Sequence, residues 1–217
     1  MHLVGGQLVL SPSDLTAFLA CEHRSALDRQ VALGQLARPE QDDPELEILR
    51  RRGDEHERNE LARLKAEGRE VVEITVAGSS PAELRAAEAE TVAAMRAGAD
   101  VIFQATFFDG RWRGHADFLL RVEAPSDLGP WSYEVADTKL ARRAKPAAVI
   151  QLCGYAEHVA RVQGVWPEEV EVVTGDGERH RHRVADAISY YRAAKARLEA
   201  FVDADAAEPP YPDPVAH

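Results

Sequence analysis

The chain is short of cysteine, of aromatic side chains and of positive charge, and the shortages of cysteine and of charge, with the lack of long apolar runs, each remove a class of protein. Only Cys21 and Cys153 occur among 217 residues, with no CxxC spacing, so neither a disulfide scaffold nor an all-cysteine zinc site can be assembled. A reducing compartment is then the default. No apolar run is long enough for a membrane span, and Met1 to Leu10 carries no basic stretch before its few apolar residues, so no signal-peptide pattern is present. The cytoplasm is the expected location. Lys and Arg number 26 against 37 Asp and Glu, a net charge of -11. Bulk attraction to a polyanion is excluded, and any nucleic-acid contact has to rest on a local basic strip or a bound metal.

What remains is a globular composition, 45% hydrophobic and 29% charged, in a length that suits one domain. The expected divisions are a helical part over 1–68, a sheet core over 69–185, and a helix with a proline-rich tail over 186–217. Ser11 or Ser13 reads as the cap of a single helix ending at Gly34. Pro44 opens a second, highly charged helix that stops at Gly68. A strand over 70–76 and an Ala-rich helix over 81–98 follow. VIFQATFF and RWRGHADFLLRV flank Asp109-Gly110, a hairpin signal with a two-residue turn. WSYEVADTKL is the next strand, Pro146 starts a helix to Val162, EVEVVTGDGERHRHRV reads as a more exposed hairpin, and Asp186 caps a last helix to about Val202. Helices, a mostly antiparallel strand cluster, then helix, hairpin and helix imply an α+β or mixed α/β fold.

The chemistry centres on two aspartates inside apolar strands, Asp117 and Asp137, where a carboxylate is costly without a partner. Both are equidistant from Asp127 in the intervening loop, so an antiparallel pairing about that loop makes them cross-strand neighbours. Two like charges roughly 4.5–5.5 Å apart at Cβ repel unless a cation lies between them, and hard carboxylate oxygens suit Mg²⁺ or Mn²⁺. Lys139, two residues past Asp137, projects to the same strand face. Metal and ammonium around one water are suited to phosphodiester hydrolysis; the plain alternative is a surface Asp-x-Lys pair. Gln151 and Tyr155, four apart, share a helix face, and His56 falls seven residues after Leu49 on a sparse apolar stripe. Arg142, Arg143 and Lys145 follow Lys139 and place positive charge at the mouth of such a site, while Arg50, Arg51 and Arg52 precede His56 on a helix where a basic run is ordinarily solvated.

Gly53 with His56, Gly114 with Asp117, Asp137 with Lys139, and Gln151 with Tyr155, in this order, resemble the RecB-like branch of the PD-(D/E)xK nuclease superfamily over nearly the whole chain. The superfamily's proline before the first aspartate is replaced here by Ala116. The resemblance implies a restriction-endonuclease-like core, a mixed central sheet flanked by helices with an N-terminal helical segment, and His56, Asp117 and Asp137 as metal ligands for Mg²⁺ or Mn²⁺. It assigns Lys139 as catalytic base or electrostatic aid, and gives Gln151 and Tyr155 the task of organising the site and the nearby DNA backbone. It also implies DNA repair or recombination, a single-stranded or duplex-end DNA partner, and a helicase in cis or in trans. A rival from another class is a catalytically silent DNA-binding or scaffold module of the same fold, and a third reading is a metal hydrolase of small substrates. Several members bind an iron-sulfur cluster through a cysteine on the N-terminal helix and three beyond the core. Cys21 stands at the first of these positions, and with Cys153 the only other thiol no four-cysteine cluster is expected in this chain alone. On this resemblance the chain is expected to be a truncated module of a longer protein.

Overall fold

The computed structural model describes residues 1–38, 43–204 and 211; the expected proline-rich tail otherwise lies outside the described residues. The chain opens with a small hairpin, β1 (His2–Val4) and β2 (Gln7–Val9), not foreseen from its short apolar pattern. The single helix expected over 11–34 is two: α1 (Pro12–Ala20) and α2 (Glu22–Ala32). Cys21 between them is extended, at φ -164° and ψ 108°. The break frees α1 to bury Leu15 and Phe18 on its own axis. Ser11 and Asp14 form a reciprocal capping box at its start.

Then come α3 (Pro44–Ala66), β3 (Val71–Glu73), α4 (Pro81–Ala97), β4 (Val101–Phe108), β5 (Arg113–Val122), β6 (Ser132–Lys139), α5 (Pro146–Gln163), β7 (Glu169–Thr174), β8 (Arg179–Arg183) and α6 (Val184–Asp203). The β4–β5 connection is longer than the expected two-residue turn. Asp109 Oδ1 accepts from the amides of Arg111 and Trp112, a side-chain-closed turn that keeps these groups satisfied. Helix α6 starts before Asp186: Arg183 is its N-cap, and the Val184 amide is taken up by the Glu168 carbonyl at 3.0 Å.

Strands β3 to β8 form one sheet in sequence order. It is mixed, as the resemblance implies: β3–β4 and β6–β7 run parallel and the other neighbours antiparallel. Strand β7 is buried along nearly its whole length, so the hairpin expected to be exposed is exposed only at the edge strand β8. Helices α4 and α5 cover one face, through Met95, Leu152 and Val159 against Ile102, Leu119 and Val135. Helix α3 covers the other, through Leu61 and Leu64 against Val101, Phe118 and Ala136. Behind α5, α1 and α6 build a second core from Leu15, Phe18, Tyr191 and Leu198.

Helix α3 has few apolar residues, and its outer leucines, Leu46 and Leu49, are exposed. Charge holds it instead. Buried Glu60 accepts from Arg63 at 2.8 Å and from Arg179 of β8 at 2.6 Å. Arg179 also pairs with buried Glu171, which takes a further bond from Arg181 at 3.1 Å. Each buried carboxylate thus has a hydrogen-bonded cation, the condition under which buried charge is tolerated.

Candidate active site

Antiparallel strands β5 and β6 pair Phe118 with Ala136 and Leu119 with Val135. One step beyond the last pair, this register sets Asp117 opposite Asp137, as equal spacing from Asp127 predicts. On the other side, β4 pairs Phe103 with Phe118 and Ala105 with Ala116, so Gln104 stands opposite Asp117. Gln104, Asp117 and Asp137 form a row across three strands.

The sheet is distorted along this row. Gln104 is the one non-glycine among the described residues with positive φ, at 55°, a conformation that costs an unbranched L-residue about 1 kcal/mol or more. Alternation slips there: Phe103 faces the α3 core and Ala105 the α5 core, yet Ile102 also faces α5. The same slip occurs on β5, where Ala116 and Leu119 face α5 and Phe118 faces α3. With the ladder interrupted, the Thr138 amide and hydroxyl donate to Asp117 Oδ2 at 2.9 and 3.1 Å.

Asp137 is 2% exposed, and its Oδ2 is buried without a hydrogen-bond donor. Lys139 forms an ion pair with that oxygen. Burial first, and then the negative charge of Asp117, push the Asp137 carboxyl well above the usual carboxylate range; Lys139 opposes the shift. Across from them, Gln151 Nε2 donates to the Tyr155 hydroxyl at 3.2 Å. Burial raises the Tyr155 phenol further from ionisation, so it remains a proton donor. Its ring lies against Gly114, where an added Cβ would come within 2.7 Å of Tyr155 Cε1. The glycine before Asp117 is therefore the space in which the tyrosine of the next helix sits.

Lys139 and Gln151 also line a pocket of about 270 Å³ with Arg143 and Lys145 at the start of α5. Arg142 is exposed outside its lining, and Arg50, Arg51 and Arg52 are exposed on α3. His56 turns inward, as expected, but its Nε2 lies 3.3 Å from the Val173 carbonyl of β7. Cys21 caps α2 by accepting from the Arg24 amide at 3.4 Å, and Cys153 is buried in the second core. Tyr211 packs edge-on against His23, at 5.0 Å between ring centroids.

Two functional candidates escaped sequence reasoning. Glu57, half-buried on α3, accepts a hydrogen bond from the Gln104 amide. Desolvation raises its carboxyl to about 7, and the next largest cause is the charge of Asp117, which outweighs that of Asp54 one helical turn away. The spacing of Glu57 with Leu61 and Leu64 marks the inward helix face and could have found it. No sequence signal announces the backbone of Gln104.

Among the described residues no three His, Cys, Asp or Glu side chains converge into a ready cage for an ion. The donors nonetheless fit Mg²⁺ or Mn²⁺, because Mg²⁺ is commonly held by one or two carboxylates with water and substrate phosphate completing the shell. Asp137 Oδ2, buried and paired with the Lys139 ammonium, is a hard donor of that kind. No family model matches the chain, and no curated protein matches it.

Proposed function

We propose that the chain is a metal-dependent DNA nuclease of the RecB-like kind, acting in repair or recombination alongside a helicase. The observation that carries this reading is the opposition of Asp117 and Asp137 across two strands, with Lys139 on the Asp137 carboxylate. Asp117 and Asp137 would hold Mg²⁺ or Mn²⁺, which supplies positive charge for the phosphate oxygens and makes water more acidic. Asp117 is oriented for this by Thr138. Lys139, the partner of Asp137, would face the phosphate once the carboxylates hold the ion, and would stabilise charge that grows in the transition state. The Tyr155 hydroxyl, kept protonated, can donate to a backbone oxygen, and Gln151 holds its orientation. Arg143 and Lys145, on the rim of the same pocket, offer phosphate contacts that position the strand without reading bases.

The reading is tested by incubating labelled single-stranded, duplex and circular DNA with the chain in Mg²⁺, Mn²⁺ or EDTA, beside Asp137→Ala. Cleavage that needs the metal and disappears in the variant is the expected result; equal cleavage by the variant would refute the site. A second measurement addresses binding. The Arg142/Arg143/Lys145 triple alanine variant is expected to bind DNA more weakly, and the slope of its salt dependence should fall by about 0.9 for each phosphate that is no longer neutralised. Metal binding should be retained. An unchanged slope would place the DNA path elsewhere.

A further inference from the structure

The reading above draws on the end of α5 that carries Gln151 and Tyr155, while the other end opens on a second cavity. Past the Gly164 cap of α5, the connection to β7 meets the start of α6. Trp166, Pro167, Glu168, Arg183, Ile188 and Arg192 there line a cavity of about 350 Å³. We propose that this cavity seats one unpaired base of the DNA strand, stacked on Trp166, with Arg183 and Arg192 on the flanking phosphates. The proposal rests on the reading of the chain as a DNA nuclease and adds to it a binding subsite away from the place of cutting.

The lining has the polarity of a nucleotide. Its walls are the rings of Trp166 and Pro167 with Val184 and Ile188, and its two arginines are exposed. A base has apolar faces and carries its charge on the phosphates to either side, so an aromatic wall with cations at the rim suits it. The Arg192 guanidinium already lies over the Trp166 ring, 5.1 Å from its centroid, and a base extends such a stack.

Charge points the same way. Strand β8 carries Arg179, Arg181 and Arg183 in alternation. The first two are engaged by Glu60, Glu169 and Glu171, whereas Arg183 and Arg192 form no ion pair among the described residues. Glu168 is the one acid in the lining, so the cavity keeps a positive surplus in a chain whose net charge is -11. A local surplus of this kind is what an acidic protein needs in order to hold a polyanion.

The cavity is also within reach of the acidic row. That row continues from Asp137 through Val172 of β7 to His180 of the edge strand β8. The two strand spacings amount to about 10 Å, and Arg183 stands three residues further on, about 10 Å along the strand. DNA held at the row therefore reaches Trp166 along the sheet edge within a few nucleotides.

The test is binding by the full chain in EDTA, where metal-dependent cutting is off. The probes are a fluorescein-labelled oligothymidylate about 16 nucleotides long and an abasic deoxyribose-phosphate polymer of the same length, followed by anisotropy and by tryptophan emission. Trp112 is 3% exposed, and the Trp131 N–H is bonded to the Met95 carbonyl, so quenching that is absent from Trp166→Phe reports on this cavity. Oligothymidylate is expected to quench wild type. Trp166→Leu should weaken it by at least ~5-fold, the lower end of what one stacked base contributes, and leave the abasic polymer unaffected. Ala185→Phe, which fills the cavity from an exposed position on α6, should do the same with the melting temperature unchanged. Glu168→Gln removes the opposing charge and should tighten both polymers. If Trp166→Leu and Ala185→Phe bind oligothymidylate as wild type does, or quenching persists in Trp166→Phe, the inference is overturned and the catalytic reading stands. Equal losses on both polymers would reduce the cavity to a phosphate contact and also overturn it. A wild type that binds neither polymer overturns it too, and if that protein also cuts no DNA in Mg²⁺ or Mn²⁺ the nuclease reading falls with it.

Discussion

Asp137→Asn is expected to lower metal-dependent DNA cleavage by at least ~10²-fold and, in the same protein without metal, to raise the melting temperature at pH 8. The first effect follows from removing one of the two carboxylates that would hold the ion against the reacting phosphate. The second follows from the proton balance of the resting site. Folding raises the carboxyl pKa of Asp137, and that of Glu57 to about 7, so the folded state binds protons more tightly than the unfolded chain. Their contribution to stability is complete below the unfolded value near 4 and is lost as pH rises toward 7. Asparagine has no such loss. Its advantage should amount to at least ~2 °C at pH 8 and shrink to nothing near pH 4. Mn²⁺ should reverse the order, stabilising wild type and leaving the variant unmoved. A metal-free variant that melts well below wild type at pH 8 would mean that the ion pair with Lys139 is a structural bond and not a site waiting for charge.

The next largest effect is expected from Gly114→Ala. A methyl group there would stand 2.7 Å from the Tyr155 ring, whose side is buried. The ring has little room to retreat, because α5 is also pressed against α1: a Cβ on Gly154 would meet Pro12 at 2.8 Å. Overpacking of this sort costs about 1–3 kcal/mol, and it displaces the phenol from the carboxylates. Cleavage should therefore fall together with stability. Adding Tyr155→Leu should restore part of the stability and none of the activity, since it removes the clash but not the need for the hydroxyl. A Gly114→Ala protein with the wild-type melting temperature and rate would show that the ring yields freely.

Much of this site could be read before the fold was known, for a specific physical reason. The pairing of Asp117 with Asp137 depends only on a loop whose midpoint is Asp127, and the ladder keeps that register without a bulge on β6. Lys139 and the Gln151–Tyr155 pair follow from the periods of strand and helix. The mixed sheet came from the family resemblance and not from the strand pattern, because parallel neighbours such as β6 and β7 are brought together by a crossover through α5 and leave no turn signal between them. The division of α1 from α2 was hidden because EHRSALDRQ continues a good helical composition. What breaks it is the burial of Leu15 and Phe18 elsewhere, a tertiary demand. Glu57 was overlooked beside the more conspicuous His56, and the kink at Gln104 exists only where β4 meets the row of acids.

The second core joins the first helices to the last described one. Trp112 of the β4–β5 turn donates to Glu199 of α6 at 2.7 Å, Phe18 of α1 packs on Phe201 with ring centroids 5.2 Å apart, and Pro12 seats the helix that carries Tyr155. These contacts join residues far apart in the chain. During synthesis, a ribosome-bound chain has α1 and the acidic row in hand long before α6 emerges, but the layer that clamps α5 from behind is still missing. Contacts of such long sequence separation also form late and slowly in folding. The helix that presents Gln151 and Tyr155 is thus seated from behind only once α6 has docked.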